Sequence, residues 1–119
     1  MKNILEELRQ FNGSVIVYRH PINQEIVYTE GIYFLAERAK AYWLIDDICF
    51  AHQVDPVIKK HPFQVWKLSV DKKDQSAKLS VENGDKEHIK TFEIPYTDFP
   101  LSSITLWLIN DILLLPSEY

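Results

Sequence analysis

Glycine is scarce in this chain: Gly13, Gly31 and Gly84 are the only three in 119 residues. P-loops and dinucleotide-binding turns need clustered glycines after a strand, so both are excluded. No G-x-S-x-G nucleophile elbow is present either. Cysteine is scarcer still. Cys49 stands alone, cannot make an internal disulfide and gives no sign of an oxidising compartment. No apolar run approaches the roughly 18 residues a membrane span requires. The opening MKNILEELRQF places acidic residues where a signal peptide keeps its apolar core. Positive charge is short as well, with 13 Lys and Arg against 17 Asp and Glu and a net charge of −4. That balance argues against an electropositive phosphate-binding surface. Lys67, Lys72, Lys73 and Lys78 are offset by Asp71, Asp74 and Glu82, so direct nucleic-acid binding by stacked aromatics is not expected. These absences predict a cytoplasmic protein with no membrane contact.

What is present is ordinary for a globular chain: 46% hydrophobic and 25% charged residues. The length predicts one domain over residues 1–119, able to bury about two thirds of its unfolded surface. Residues 29–51, TEGIYFLAERAKAYWLIDDICFA, organise the rest. Ile32, Leu35, Ala36, Ala39, Tyr42 and Trp43 recur at three- and four-residue spacings, which stacks them on one helix face. Thr29 is placed to cap the first turn and Glu30 suits the helix dipole. The spacing predicts one long helix lying across a sheet.

Before it, residues 3–12 predict a short helix, with Asn3 and Glu6 as a capping box and Gly13 as its stop. SVIVY (14–18) and EIVY (25–28) predict a hairpin. After it, the proline-bearing 52–62 segment predicts a surface connection with one helical turn after Pro56. FQVWKLSV (63–70), AKLSVE (77–82) and HIKTFEI (88–94) predict successive strands. Asn83-Gly84 supplies a hairpin signal, because both residues tolerate positive φ. Pro95–Pro100 interrupts the sheet, and ITLWLI and ILLL form a last hairpin around Asn110-Asp111. The expected class is α+β: an antiparallel β-meander packed against one long α-helix, with a short N-terminal helix and hairpin.

Chemistry-bearing residues are few. Asp46, Cys49 and His52 are spaced by threes and could seat zinc if a fourth ligand came from elsewhere; the simpler reading makes Cys49 a small core residue and Asp46 a solvated one. No catalytic pairing is legible. Glu6-Glu7 and Asp46-Asp47 are adjacent helical carboxylates that point apart, and no histidine can be placed beside Cys49. Tyr18, Arg19 and His20 end one strand, Tyr28 ends its partner, and Tyr96 and Asp98 lie in the proline-bounded crossing. If those ends converge they make a polar patch rimmed by rings; alternatively these groups satisfy one another and pin loops.

Several strings are similar to a family of small uncharacterised bacterial proteins classed as a domain of unknown function: YRH (18–20), YTEGIYFLAERAKAYWLIDDI from Tyr28, FQVWKLSV from Phe63, YTDFPL from Tyr96, and LLLPSEY at the C-terminus. The resemblance implies a bacterial, phage or plasmid setting and no established activity. One departure is AERAKAYW, where a glycine is expected nearer the tyrosine and Lys40 stands instead. Small size, an acidic balance and the lack of catalytic signatures predict a non-enzymatic module with a protein partner, one version being a mobile-element inhibitor of a host defence enzyme. The alternative is a small-ligand or metal-binding domain; no cofactor is implied, and the sequence leaves the oligomeric state open.

Overall fold

The computed structural model describes residues 4–10 and 16–119. The proposed Asn3 cap and Gly13 stop, and the first residues of the SVIVY strand, lie outside that range. Helix α1 spans Ile4–Leu8 and packs on α2. Strands β1 (Val17–Arg19) and β2 (Val27–Thr29) form the expected antiparallel hairpin.

The 29–51 segment is not one helix but two, α2 (Glu30–Ala39) and α3 (Tyr42–Val54). Between them Lys40 takes the left-handed conformation, φ 53° and ψ 48°. The Ala41 N–H returns to the Ala36 carbonyl at 2.9 Å, the six-to-one bond of a Schellman cap. Lys40 thus stands at a backbone position that glycine favours. Nothing in the apolar spacing announces the break, because α3 resumes the same periodicity. Thr29 caps α2, accepting the Ile32 N–H at 3.4 Å. A four-residue α4 follows Pro56 (Pro56–Lys59), capped by Asp55.

Strands β3 (Phe63–Asp71), β4 (Ser76–Asn83), β5 (His88–Ile94), β6 (Ser103–Ile109) and β7 (Ile112–Leu114) complete a seven-stranded sheet of order β1-β2-β7-β6-β3-β4-β5. The expected meander is corrected in two ways. β6 returns to lie beside β3, not β5, so β3 to β6 form a Greek key of spatial order 6-3-4-5. The long connection needed for that return is the proline-bounded 95–102 segment, tied at Thr97 N–H to the Gln75 carbonyl at 2.7 Å. The sheet is also mixed, because β2 pairs parallel with β7 and joins the N-terminal hairpin to the rest.

Turn chemistry explains the two late hairpins differently. Asn110 and Asp111 both have positive φ, 49° and 69°, as a two-residue primed turn requires. At the other, Asn83 instead caps a wider loop with its side chain, accepting the Asp85 and Glu87 N–H groups at 2.8 and 3.0 Å. Lys86, not Asn83, takes positive φ there.

One sheet face carries Trp66 and Leu68 of β3, Ala77, Leu79 and Val81 of β4, Ile104, Leu106 and Leu108 of β6, and Leu113 of β7, all buried. Ile32, Leu35, Leu44, Ile45 and Ile48 from α2 and α3 complete this core. The expectation of a helical layer over a sheet holds, with two helices as the layer. Trp43 packs edge-on against Phe99 at 6.4 Å.

Candidate functional site

Helix α3 has more apolar residues than one core-facing stripe can bury. Leu44, Ile45, Ile48, Cys49 and Ala51 face the core. Phe50 and Val54, a turn apart, do not: they are 64% and 56% exposed. They form one wall of a groove of about 490 Å³ whose floor and far wall are Leu79 of β4 and Phe92 and Ile94 of β5. β5 is an edge strand, and the helical layer stops short of it. Phe92 stacks on Trp66 at 6.2 Å, and Lys90 lies 5.3 Å over the Phe92 ring.

Two α3-side carboxylates border this groove, in opposite conditions. Burial works against the charge of Asp55, but the Val57 N–H at 2.9 Å and the Lys90 ammonium at 3.3 Å outweigh it and hold its pKa below the ordinary 3.8. Asp47 has its pKa raised, by burial first and the neighbouring Asp46 second. Among the described residues no hydrogen bond or ion pair offsets that.

The sequence-predicted patch divides. Tyr18 stacks on Tyr28 at 5.6 Å and on Tyr33 at 4.6 Å, and Tyr33 meets Tyr42 edge-on at 6.5 Å. Burial, with Tyr33 and Asp46 adding to it, raises the Tyr28 pKa. Arg19 donates to the Gln24 carbonyl and closes its own loop. His20 is buried; its Nδ1 accepts the Asn23 N–H at 2.9 Å while Nε2 lies 2.8 Å from Asp46 Oδ1. Two backbone donors on Nδ1 assign the proton to Nε2. Tyr96 and Asp98 follow β5, at the sheet edge opposite β1. Among the described residues no bond or ring contact links them to the tyrosine stack.

The three candidate metal ligands on α3 are engaged separately. Asp46 meets His20, whereas His52 Nε2 lies 3.3 Å from Asp111 and its Nδ1 lies 3.0 Å from Gln64. Cys49 is fully buried, and burial pushes its thiol from 9.0 up to about 12. Asp46 and Asp47 fall mid-helix, since α3 runs on to Val54. Among the described residues no group of three or more His, Cys, Asp or Glu is arranged to hold a metal.

Two buried polar centres escaped the sequence reading. Gln64 shares the core face with Trp66, two residues along β3; its Oε1 accepts from Trp66 Nε1 and its amide donates to the Ile58 and His61 carbonyls, each at 3.0 Å. Glu118, in the C-terminal 3₁₀ turn Pro116–Glu118, accepts from Thr29 Oγ1 at 2.6 Å, Leu115 N–H at 2.9 Å and Gly31 N–H at 3.1 Å. An isolated Gln in a strand and a Glu in a terminal PSEY string carry no periodic signal. The groove did leave one: apolar residues on too many sides of α3.

Among the described residues no helix is long and apolar enough to cross a membrane. No curated protein and no solved structure matches the chain. Residues 2–119 match the model of a family of unknown function (DUF6876), and the chain belongs to that family.

Proposed function

We propose that this protein is a non-enzymatic interaction module that docks a partner protein in the α3–β5 groove. The observation that carries the reading is the exposed pair Phe50 and Val54 facing the uncovered core side of an edge strand. Contiguous apolar surface of this kind marks interaction sites in chains that otherwise bury such residues, and helix or strand insertion beside a sheet edge is a recurrent recognition mode. The net charge of −4 suits a basic partner. An inhibitor carried by a mobile element, competing for a basic channel in a host defence enzyme, is one form of this reading. Its affinity would fall as salt rises.

Phe50→Ser removes the more exposed of the two apolar α3 residues that wall the groove, without touching the core. A partner that co-purifies with the wild-type chain at fixed stoichiometry should be lost with this variant, while the melting temperature holds. A partner retained by Phe50→Ser, or none captured by either protein, sinks the proposal.

A small apolar ligand is the second reading, because about 490 Å³ falls inside the usual range for small-molecule sites, roughly 300–1,000 Å³. A fragment screen followed by amide shift perturbation separates the two: saturable shifts at Phe92 and Phe50 by an uncharged fragment favour it. The tyrosine stack and the Asp46–His52 segment stay secondary candidates for ligand or metal binding. Elemental analysis of protein purified without an affinity tag decides the metal form.

A further inference from the structure

We infer that the partner of the α3–β5 groove is a segment that inserts apolar side chains between Phe50 and Phe92 and presents a Lys or Arg to Asp47. This rests on the groove reading above and specifies the chemistry of its occupant. The argument is one of charge complementarity at an otherwise apolar site. Asp47 lines the groove beside Phe50. Asp55, further along the same wall, already has Lys90 from the far side; Lys90 is thereby committed, and it lies over Phe92 as well. Glu93 faces Lys78 at 3.9 Å. Asp46 is turned to His20. Asp47 is therefore the groove carboxylate whose charge nothing among the described residues compensates.

The protein carries that charge at a cost. Asp47 is exposed to solvent in the free chain, so the cost is modest: the apolar groove wall and the adjoining Asp46 carboxylate both favour its neutral form, and its raised pKa has that origin. For an acid whose pKa is raised on folding, the ionised group opposes folding above that pKa, and the opposition disappears as pH falls through it. Residues that lower stability where solvent alone would accept a neutral side chain are concentrated at functional sites. A cation delivered by a partner reverses the balance. Closing the groove over Asp47 removes water from the pair and strengthens the attraction, and an Arg can meet the carboxylate through two parallel hydrogen bonds. The apolar walls then supply affinity and Asp47 supplies selection.

The test is a selection from a phage-displayed random 12-residue peptide library on the immobilised full chain, run in parallel on Asp47→Asn and Phe50→Ser. The wild type should enrich peptides with two or three large apolar residues and a Lys or Arg at a fixed offset. Synthetic copies should shift groove amides in NMR spectra. Asp47→Asn, which leaves the fold at least as stable, should keep the apolar preference, lose the basic one, and bind the selected peptides about tenfold more weakly, the factor that 1.4 kcal/mol represents. Apolar peptides with no basic preference, or equal affinity for Asp47→Asn, overturn this inference and leave the groove reading intact. Peptides that bind Phe50→Ser as well as wild type, no enrichment at all, or a wild-type dimer in light scattering that Phe50→Ser abolishes, overturn both.

Discussion

Gly31 and Glu118 are 87 positions apart in the chain and in contact in the fold. A Cβ built on Gly31 would lie 2.6 Å from Glu118 Oε1. The carboxylate is the end of a flexible side chain, so it can swing aside, but only by giving up hydrogen bonds to Thr29, Gly31 and Leu115. Buried donors left without an acceptor cost about 1–3 kcal/mol. Gly31→Ala is therefore expected to lose about 2 kcal/mol in urea denaturation, and Glu118→Ala about the same. The double variant should lose no more than either single change, because the methyl then fills space the carboxylate has left; full additivity would show that the two residues do not act together. Cys49 gives a second prediction at this scale. Its thiol, raised to about 12 by burial, should resist a disulfide reagent at pH 8 until denaturant opens the fold, since the thiolate is the reactive form. The sign for stability follows from linkage: the unfolded thiol ionises near 9 and the folded one near 12, so stability falls as pH rises through that window. Rapid labelling of native protein at pH 8 would contradict the burial.

At the scale of elements, the α2–α3 break is set by one backbone position. A non-glycine residue in the left-handed region costs roughly 1–2 kcal/mol, and glycine gives back part of that relief through its looser unfolded chain. Lys40→Gly should stabilise the fold by about 0.5–1 kcal/mol. Lys40→Val should destabilise it, because branching at Cβ makes positive φ harder still. If the two variants melt alike, the left-handed cap is not what separates the helices. The same logic explains why the Asn110-Asp111 turn was readable and the Lys40 break was not. Asn and Asp advertise tolerance of positive φ in their chemistry, whereas Lys at 40 is forced into it by the packing of α2 and α3 on either side.

Over the whole molecule, the sheet should be unequal in stability. β3 pairs on both sides, with β4 and β6, while β5 has one neighbour and a free edge. Native-state hydrogen exchange should find the slowest amides in β3 and β6 and much faster exchange along the outer side of β5. Protection of β5 equal to that of β3 would mean that a second copy covers the edge. Trp66, fully buried between Gln64 and Phe92, joins β3 to the groove wall. Trp66→Ala should cost about 3–5 kcal/mol and loosen the groove with the core.

Much of the architecture was legible in local pattern. Alternation, helical spacing, Thr29 as a cap, Pro56 as a helix start and Asn110-Asp111 as a turn each act within a few residues, and the sequence alone determined where nearly every strand and helix lies and that a helical layer roofs a sheet. Tertiary structure decided the rest: the split of the central helix at Lys40, the return of β6 beside β3, the parallel β2–β7 pairing, the burial of Gln64 and Glu118, and the parting of Tyr96 and Asp98 from the tyrosine stack. The reason is physical. Periodicity reports which side of an element avoids water, but it carries no information about which element arrives to cover that side. The α3–β5 groove exists because no element among the described residues did.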